Sequence, residues 1–291
     1  MKMKKSTGRK IFEVVNYTVL ALFVLATLYP IINQIAISFS STKGILQGNV
    51  TLLPRDFTLG TYQELLENRD FWINYKNTIV YTTLGTVISL IMTTMCSYAL
   101  SKPRIVGSNV ITKLIIFTIF FAGGLIPSFA LVKGLGWVDS IWAVTIPGAI
   151  LPYHVLIMRT YFQGLPVELE EAGKIDGLGQ LGYFMKIALP LSKPIIATII
   201  LFIAVIYWND WFSALLYLNE GDAQPVTLFL RNAMMGATTS AQSGDIDSTT
   251  RSIPQSVQAA SMILVTTPIL CVYPFVQKYF VQGVMIGAVK G

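Results

Sequence analysis

In six places, at about 12–39, 75–100, 111–132, 138–162, 194–218 and 257–281, the chain stays apolar for the length of a bilayer crossing. A hydrocarbon core about 30 Å thick takes about 20 helical residues, and every run reaches that length. Of the 291 residues 53% are hydrophobic and only 12% are charged, where soluble domains carry roughly a quarter, and the mean hydropathy is +0.61. These features predict an all-α polytopic membrane protein with six transmembrane helices, surrounded by membrane lipid. They leave no room for a soluble catalytic domain.

The first run follows MKMKKSTGRK. A cleavable signal peptide has an apolar region of roughly 7–15 residues and a small-residue cleavage site. This run is longer and ends in Asn33, Gln34 and a serine cluster, so it reads as a retained first span. One long segment breaks the apolar pattern, Pro166 to Pro194, PVELEEAGKIDGLGQLGYFMKIALPLSKP. Its sequence predicts two short helices and a turn. Pro166 suits a first helical position, and Glu168, Glu170 and Glu171 lie where a helix dipole favours negative charge. Asp176-Gly177 supplies a stop, and a second piece, Gln180 to Leu189, ends against Pro190 and Pro194. A polar helix-turn-helix between two spans cannot lie in lipid. It must dock on something in water.

Orientation follows from the basic residues, which favour the cytoplasmic side. With the N-terminus inside, fourteen of the 21 Lys and Arg residues fall on the inner side and seven on the outer. The net charge of +6 is read as this bias and not as a nucleic-acid surface. An even number of spans returns the C-terminus to the cytoplasm and places the glutamate-rich stretch there. The expected organisation is a cytoplasmic N-terminus (1–11), a six-span domain (12–281) and a cytoplasmic tail (282–291). Within the domain lie the inner loop 163–194 and the external loops 40–74 and 219–256. The first external loop holds an amphipathic piece, Tyr62 to Leu66; the second holds PVTLFLRNAMM (Pro225 to Met235), a candidate short helix. Gly123-Gly124, Pro127, Pro147, Pro152, Pro268 and Pro274 interrupt the spans, and broken helices in lipid line cavities or pack on other helices.

Several residues have a functional and a structural reading. Gly177-x-Gly179-x-x-Gly182 spells a dinucleotide fingerprint, but no strand precedes it and no acidic residue follows at the ribose distance. No GxxxxGK[ST] loop is present, so the chain cannot hydrolyse ATP by the P-loop route. Asp210 is an ionisable group inside a span: either an acceptor on a substrate pathway flanked by Trp208 and Trp211, or an interhelical hydrogen-bond partner. His154 lacks the acidic partners of a proton relay and reads as a structural hydrogen bond at the break after Pro152-Tyr153. Arg159 is expected to snorkel to the inner interface. Cys96 and Cys271 read as small buried apolar side chains, with no disulfide framework and no metal spacing. Asn49-Val50-Thr51 spells a glycosylation sequon.

The run Glu171-Ala172-Gly173-Lys174-Ile175-Asp176-Gly177, followed by Ile187-Ala188-Leu189-Pro190, resembles the EAA loop of binding-protein-dependent ABC importer permeases. It departs once, with Gly173 where a second alanine is usual. Trp208-Asn209-Asp210 looks like the WND element of carbohydrate permeases, and the tail QKYFVQGVMIGAVKG is similar to that of their maltose-G-like second permeases. The tail and the IDG spelling look closest to the branch importing complex or uronic-acid-containing oligosaccharides, of pectin or alginate type. The resemblance implies a type I ABC importer fold in a bacterial cytoplasmic membrane. It also implies a second homologous permease subunit, two ATPase subunits holding ATP and Mg, an extracytoplasmic solute-binding protein and no cofactor on this chain. Nothing in it implies catalysis by this chain. The loop would be the coupling helix, with Glu170, Glu171, Ala172, Gly173, Asp176 and Gly177 meeting the ATPase. Tyr153, Trp208, Asn209, Asp210 and Trp211 would be candidates for the substrate path, and the loop 219–256 would meet the binding protein. An amino-acid or polyamine permease and an ion-coupled secondary transporter are the competing readings; the WND and GAVKG elements argue against the first, and the scarcity of intramembrane carboxylates against the second.

Overall fold

Some of the glycines and prolines in the apolar runs divide the helices, and others, among them Pro30, Gly85, Pro268 and Pro274, are carried within them. The computed structural model describes residues 7–48, 50–103, 105–232, 235 and 254–288, and the described residues are helical with no strand. Asn49 and most of 233–253 lie outside them, so neither the sequon nor SAQSGDIDSTT can be placed. Among the described residues three helices are long and apolar enough to cross a membrane: α1 (Thr7–Ser38), α4 (Arg69–Ser101) and the stretch Gln255–Val272 of α15 (Pro254–Ala288). Two bent pairs bring the number to five if each is one span.

The third run divides into α5 (Ser108–Phe120) and α6 (Leu125–Gly134), which meet at 115°. Gly124 has φ of 87° at the elbow, a left-handed value that glycine adopts without steric cost. The fourth run forms no single helix. Pro147 and Pro152 split it into α7 (Ile141–Thr145) and α8 (Pro152–Gln163), because proline lacks the amide hydrogen and its ring clashes with the preceding turn. The fifth divides into α12 (Lys193–Trp208) and α13 (Phe212–Tyr217), with Asn209-Asp210 in the gap. Pro268 and Pro274 are carried within α15.

The chain falls into two compact units. The first comprises residues 1–69 and 230–266. In it the chain leaving α1 folds back on that helix: Asn33 Nδ2 donates to the carbonyls of Val50 and Thr51, and the Tyr62 hydroxyl meets Ser38 Oγ at 2.9 Å. Ser41 caps the short α2 (Thr42–Leu46), and α3 (Gly60–Glu67) forms where the amphipathic piece is expected. The apolar window of α1 is not buried at all within the chain.

The second unit, residues 70–229 and 267–291, is built on α4. That helix buries a line of small polar residues, among them Thr78, Thr86, Ser89, Thr93, Thr94, Ser97 and Ser101. In lipid, small side chains let helix backbones approach closely, and hydroxyls hydrogen-bond across the contact. Each level of α4 holds a different element. At one end Thr78 Oγ1 accepts from Val226 N, and the Tyr81 hydroxyl donates to Ala223 O, fixing the chain just ahead of the short helix α14 (226–232). Midway, Tyr207 of α12 lays its ring on Gly85 and places its hydroxyl 3.0 Å from Ser89 Oγ and 2.7 Å from the carbonyl of Thr145. Lower down, Ser97 donates to Val155 O of α8. Last, Arg159 Nε and the Ser108 hydroxyl both donate to Leu100 O. Arg159, expected only to reach an interface, thus closes the end of α4, where carbonyls have no helical partner.

His154 is buried and stacks on Phe202 at 6.0 Å, but its Nδ1 finds no hydrogen-bond partner among the described residues. The structural hydrogen bond expected of His154 is not made by this atom, whose ring stacks on Phe202. Cys96 is half-buried and Cys271 exposed, so burial is wrong for the second, whose side chain lies on an outward face of α15.

A Cβ on Gly85 would lie 2.7 Å from ring atoms of Tyr207. Gly85→Ala is therefore expected to cost about 1–3 kcal/mol, the usual penalty for overpacking, and to lower the apparent melting temperature in detergent. Gly8→Ala, where the new methyl meets nothing, is the control that should not.

Candidate functional site

The polar stretch between the fourth and fifth runs folds as α9 (Val167–Ile175), a turn, and α10 (Gln180–Tyr183), which continues through a π-turn, Phe184–Ala188, into α11 (Leu189–Leu191). Pro166 sits one residue earlier than expected. It caps α9 in an extended conformation (φ −57°, ψ 133°), and the helix begins at Val167. The second piece runs past Leu189 through Pro190. Having no amide hydrogen for the carbonyl four residues back, Pro190 follows directly on the widened π-turn.

Asp176-Gly177 ends α9 by a specific device. Gly177 is left-handed at φ 77°, its N–H donates to Lys174 O at 3.0 Å, and Leu178 N–H donates to Gly173 O at 2.8 Å. This pair of bonds is the Schellman motif, which satisfies carbonyls that a helix end leaves open. Gly173, the departure from the family spelling, is buried beneath the turn. A methyl there would sit 3.3 Å from both Ile187 Cδ1 and Tyr183 Cδ2, so α9 packs tightly on the segment that follows at this position. The inner face, Tyr183, Phe184 and Ala188, joins a core with Met158 and Phe162 of α8 and Ile195, Ile199, Ile203 and Tyr207 of α12. The outer face is bare: Ile175 is 87% and Leu181 73% exposed, with Val167 and Met185 beside them.

The two central glutamates separate. Glu171, Ala172, Asp176 and Gly177 lie on the exposed side. Glu170 is turned inward, its side chain 19% exposed, and is held within the chain. One oxygen accepts from Lys102 Nζ at 2.6 Å, and the other from Lys174 Nζ at 3.0 Å and Gln180 Nε2 at 3.5 Å. The two lysines, through hydrogen bonds and the nearby positive charge, hold the Glu170 carboxyl down at about 2. Lys102 itself lies over the rings of Tyr98, at 4.9 Å, and Tyr183, at 5.0 Å. The same side chains border a cleft of about 700 Å³ between the end of α4 and α9. Lys102 and its two rings were not legible as part of this site, since nothing local ties position 102 to position 170.

The proposed path residues do not form one platform. Trp208 ends α12 with its ring edge-on to Tyr75 of α4 at 6.0 Å, beside a small apolar hollow lined by Thr82, Leu201, Pro268 and Val272. Trp211 packs edge-on against Phe212. Asn209 Nδ2 donates to Val205 O, closing the end of α12. Asp210 Oδ1 accepts from Ser213 N at 3.0 Å and so caps α13. Tyr153 is 65% exposed, with its ring 6.3 Å from that of His154. The described contacts of Asn209 and Asp210 are those of a helix break, which favours the architectural reading of Asp210 over substrate contact. Beyond these, Asp139, left-handed at φ 58°, accepts from the backbone N–H and side-chain amide of Asn219 and ties the start of the fourth run to the end of the fifth.

Two expectations follow. Asp210→Asn keeps a capping oxygen and should preserve stability, whereas Asp210→Ala should cost about 1 kcal/mol in thermal unfolding. For Glu170 the sign is set by its lowered pKa, about 2 against 4.5 in an unpaired group. Its contribution is complete above pH 4.5 and is lost as pH falls toward 2. The gap in melting temperature between the protein and Glu170→Gln should therefore be open at pH 7 and close in acid. A gap independent of pH would contradict the charge pairing.

Residues 103–286 match the family described as the inner membrane component of binding-protein-dependent transport systems. Over 99% of its length the chain is 39% identical to Protein LplC of Bacillus subtilis (strain 168), of which the match covers 98%. Over 97% of its length it is 37% identical to the polygalacturonan/rhamnogalacturonan transport system permease protein YtcP of the same bacterium, of which it covers 99%. It also matches, with a TM-score of 0.86, 35% identity and coverage of 96% of this chain and 100% of the other, a chain in the crystal structure of a bacterial ABC transporter involved in the import of the acidic polysaccharide alginate. A helical chain with apolar spans, a docked EAA-like turn and relatives along its whole length belongs to the family of inner membrane components of binding-protein-dependent transport systems, and is a multi-pass ABC permease.

Proposed function

We propose that this chain is one half of the membrane pathway of an ATP-driven importer that carries a uronic-acid-rich oligosaccharide into a bacterial cell. The observation that carries the proposal is the segment α9–α11, whose inner face is part of the protein core while its outer face presents Glu171, Ile175 and Leu181 to water. Such a surface, exposed and apolar with a charge beside it, suits a protein partner. An ATPase subunit on the cytoplasmic side would receive it, with ATP and Mg bound there; two such subunits, a second permease and an extracytoplasmic solute-binding protein complete the importer. Both termini lie in the cytoplasm in this reading, following the distribution of basic residues. The substrate class is supported by likeness to a polygalacturonan/rhamnogalacturonan permease and to an importer of alginate, two polymers that share the uronate unit. ATP binding would close the ATPase pair, move α9, and rock the broken spans about a central cavity.

Glu171, exposed on α9, is the direct test. In proteoliposomes holding the full complex, Glu171→Ala should lower binding-protein-stimulated ATP hydrolysis and oligogalacturonate uptake together by about tenfold, the worth of one charge-assisted hydrogen bond. Unchanged hydrolysis and uptake would remove Glu171 from the ATPase contact.

A further inference from the structure

We infer that Lys102 is a positioning residue that fastens α9 to α4, so that a push on the exposed face of α9 is delivered to the span. This rests on the reading of α9 as the ATPase-contacting helix. The residue stands immediately after α4, and Pro103 behind it prevents the helix from continuing, which fixes where the ammonium leaves the backbone. From there it reaches three groups at once: the Glu170 carboxylate of α9 at 2.6 Å, the Tyr98 ring of α4 at 4.9 Å and the Tyr183 ring of α10 at 5.0 Å. Its side chain is 20% exposed. Surface ion pairs hold little because water and side-chain entropy compete with them. Here the charge is partly withdrawn from water and faces two aromatic rings, where its attraction is greater.

The surroundings make the attachment stiff. Tyr98 packs against Phe162 of α8 at 5.5 Å and Phe184 of the π-turn at 4.5 Å, so the ring under Lys102 belongs to the core. Two residues back, Leu100 O is held by Arg159 from α8 and by Ser108 from the start of α5. The end of α4 therefore gathers α5, α8, α9 and α10 through three consecutive levels, Tyr98, Leu100 and Lys102. Glu170 and Glu171 divide the work: the exposed carboxylate meets the partner, and the inward one transmits the movement within the chain. The second lysine, Lys174, neutralises the other Glu170 oxygen from within α9 and adds no link between elements.

A contact that only stabilises the protein and a contact that transmits motion part company in transport stoichiometry. With intact complexes selected by size-exclusion and reconstituted in lipid, Lys102→Met, which keeps the stem on the rings and removes the charge, should reduce oligosaccharide taken up per ATP hydrolysed by about tenfold. Glu170→Gln, nearly isosteric, should produce the same lowered ratio. Lys102→Arg, which keeps the charge over the rings, should stay within about twofold of the unaltered complex. A wild-type ratio in Lys102→Met, or a loss in Lys102→Arg equal to that in Lys102→Met, would overturn the assignment. Failure of the underlying reading shows differently: uptake by the unaltered complex with a non-hydrolysable ATP analogue would overturn ATPase coupling and the Lys102 link together.

Discussion

Close approach of other helices to α4 is the contact on which the rest of the described second unit depends. Lipid supplies no hydrophobic drive for one apolar helix to prefer another, so association has to come from van der Waals fit and hydrogen bonds. Gly85 provides the fit, since the ring of Tyr207 occupies the space of its missing side chain. Ser89 and Ser97 provide the bonds, to Tyr207 and to the carbonyl of Val155. A helix lined with leucine would be more apolar and hold neither partner. The small polar stripe is thus what converts a membrane-length helix into a spine to which α8 and α12 are joined.

With that spine in place, the breaks in the neighbouring spans have anchored edges. Thr145, the last residue of α7, accepts the Tyr207 hydroxyl beside the gap in the fourth run. Asp210 caps α13 across the gap in the fifth, and Asn209 closes the helix before it. Backbone that leaves helical geometry at membrane depth is tolerated only where protein or a water-filled cavity receives it. Broken helices attached to a continuous one thus keep their ends fixed at each gap. At the other end, Lys102 brings the water-facing segment into the same framework.

Much of this was legible in the sequence because its cause is local. Gly123-Gly124, Pro147 and Pro152 mark the breaks by what they do to their own backbone, and Asp176-Gly177 announces a helix stop that the Schellman bonds fulfil. The one-residue error at Pro166 and the passage through Pro190 are local too, but depend on whether the next turn can widen. Where the cause is distant, sequence offered two equal options. Glu170 and Glu171 are adjacent and identical, and the pairing of Glu170 with a lysine 68 residues earlier, beside its bonds to Lys174 and Gln180, is what tells them apart. Gly173 looked like a neutral departure from a family pattern until Ile187 and Tyr183 were found against it. At Asp210 the deciding contact is local: it carried the signature of a functional intramembrane charge, and its carboxylate accepts from Ser213, three residues on, at the first turn of α13.

The central claim is that α9 and the end of α4 move as one body, and a distance measurement tests it most directly. Spin labels placed at the exposed positions Ala172 on α9 and Met95 on α4, in the assembled complex in lipid, report their separation by pulsed electron resonance without ATP and with ATP trapped. The account predicts the same distance in both states, while a label on a partner ATPase moves relative to both. A change approaching one helical turn, about 5 Å, between Ala172 and Met95 would show that α9 slides on α4 and would contradict it.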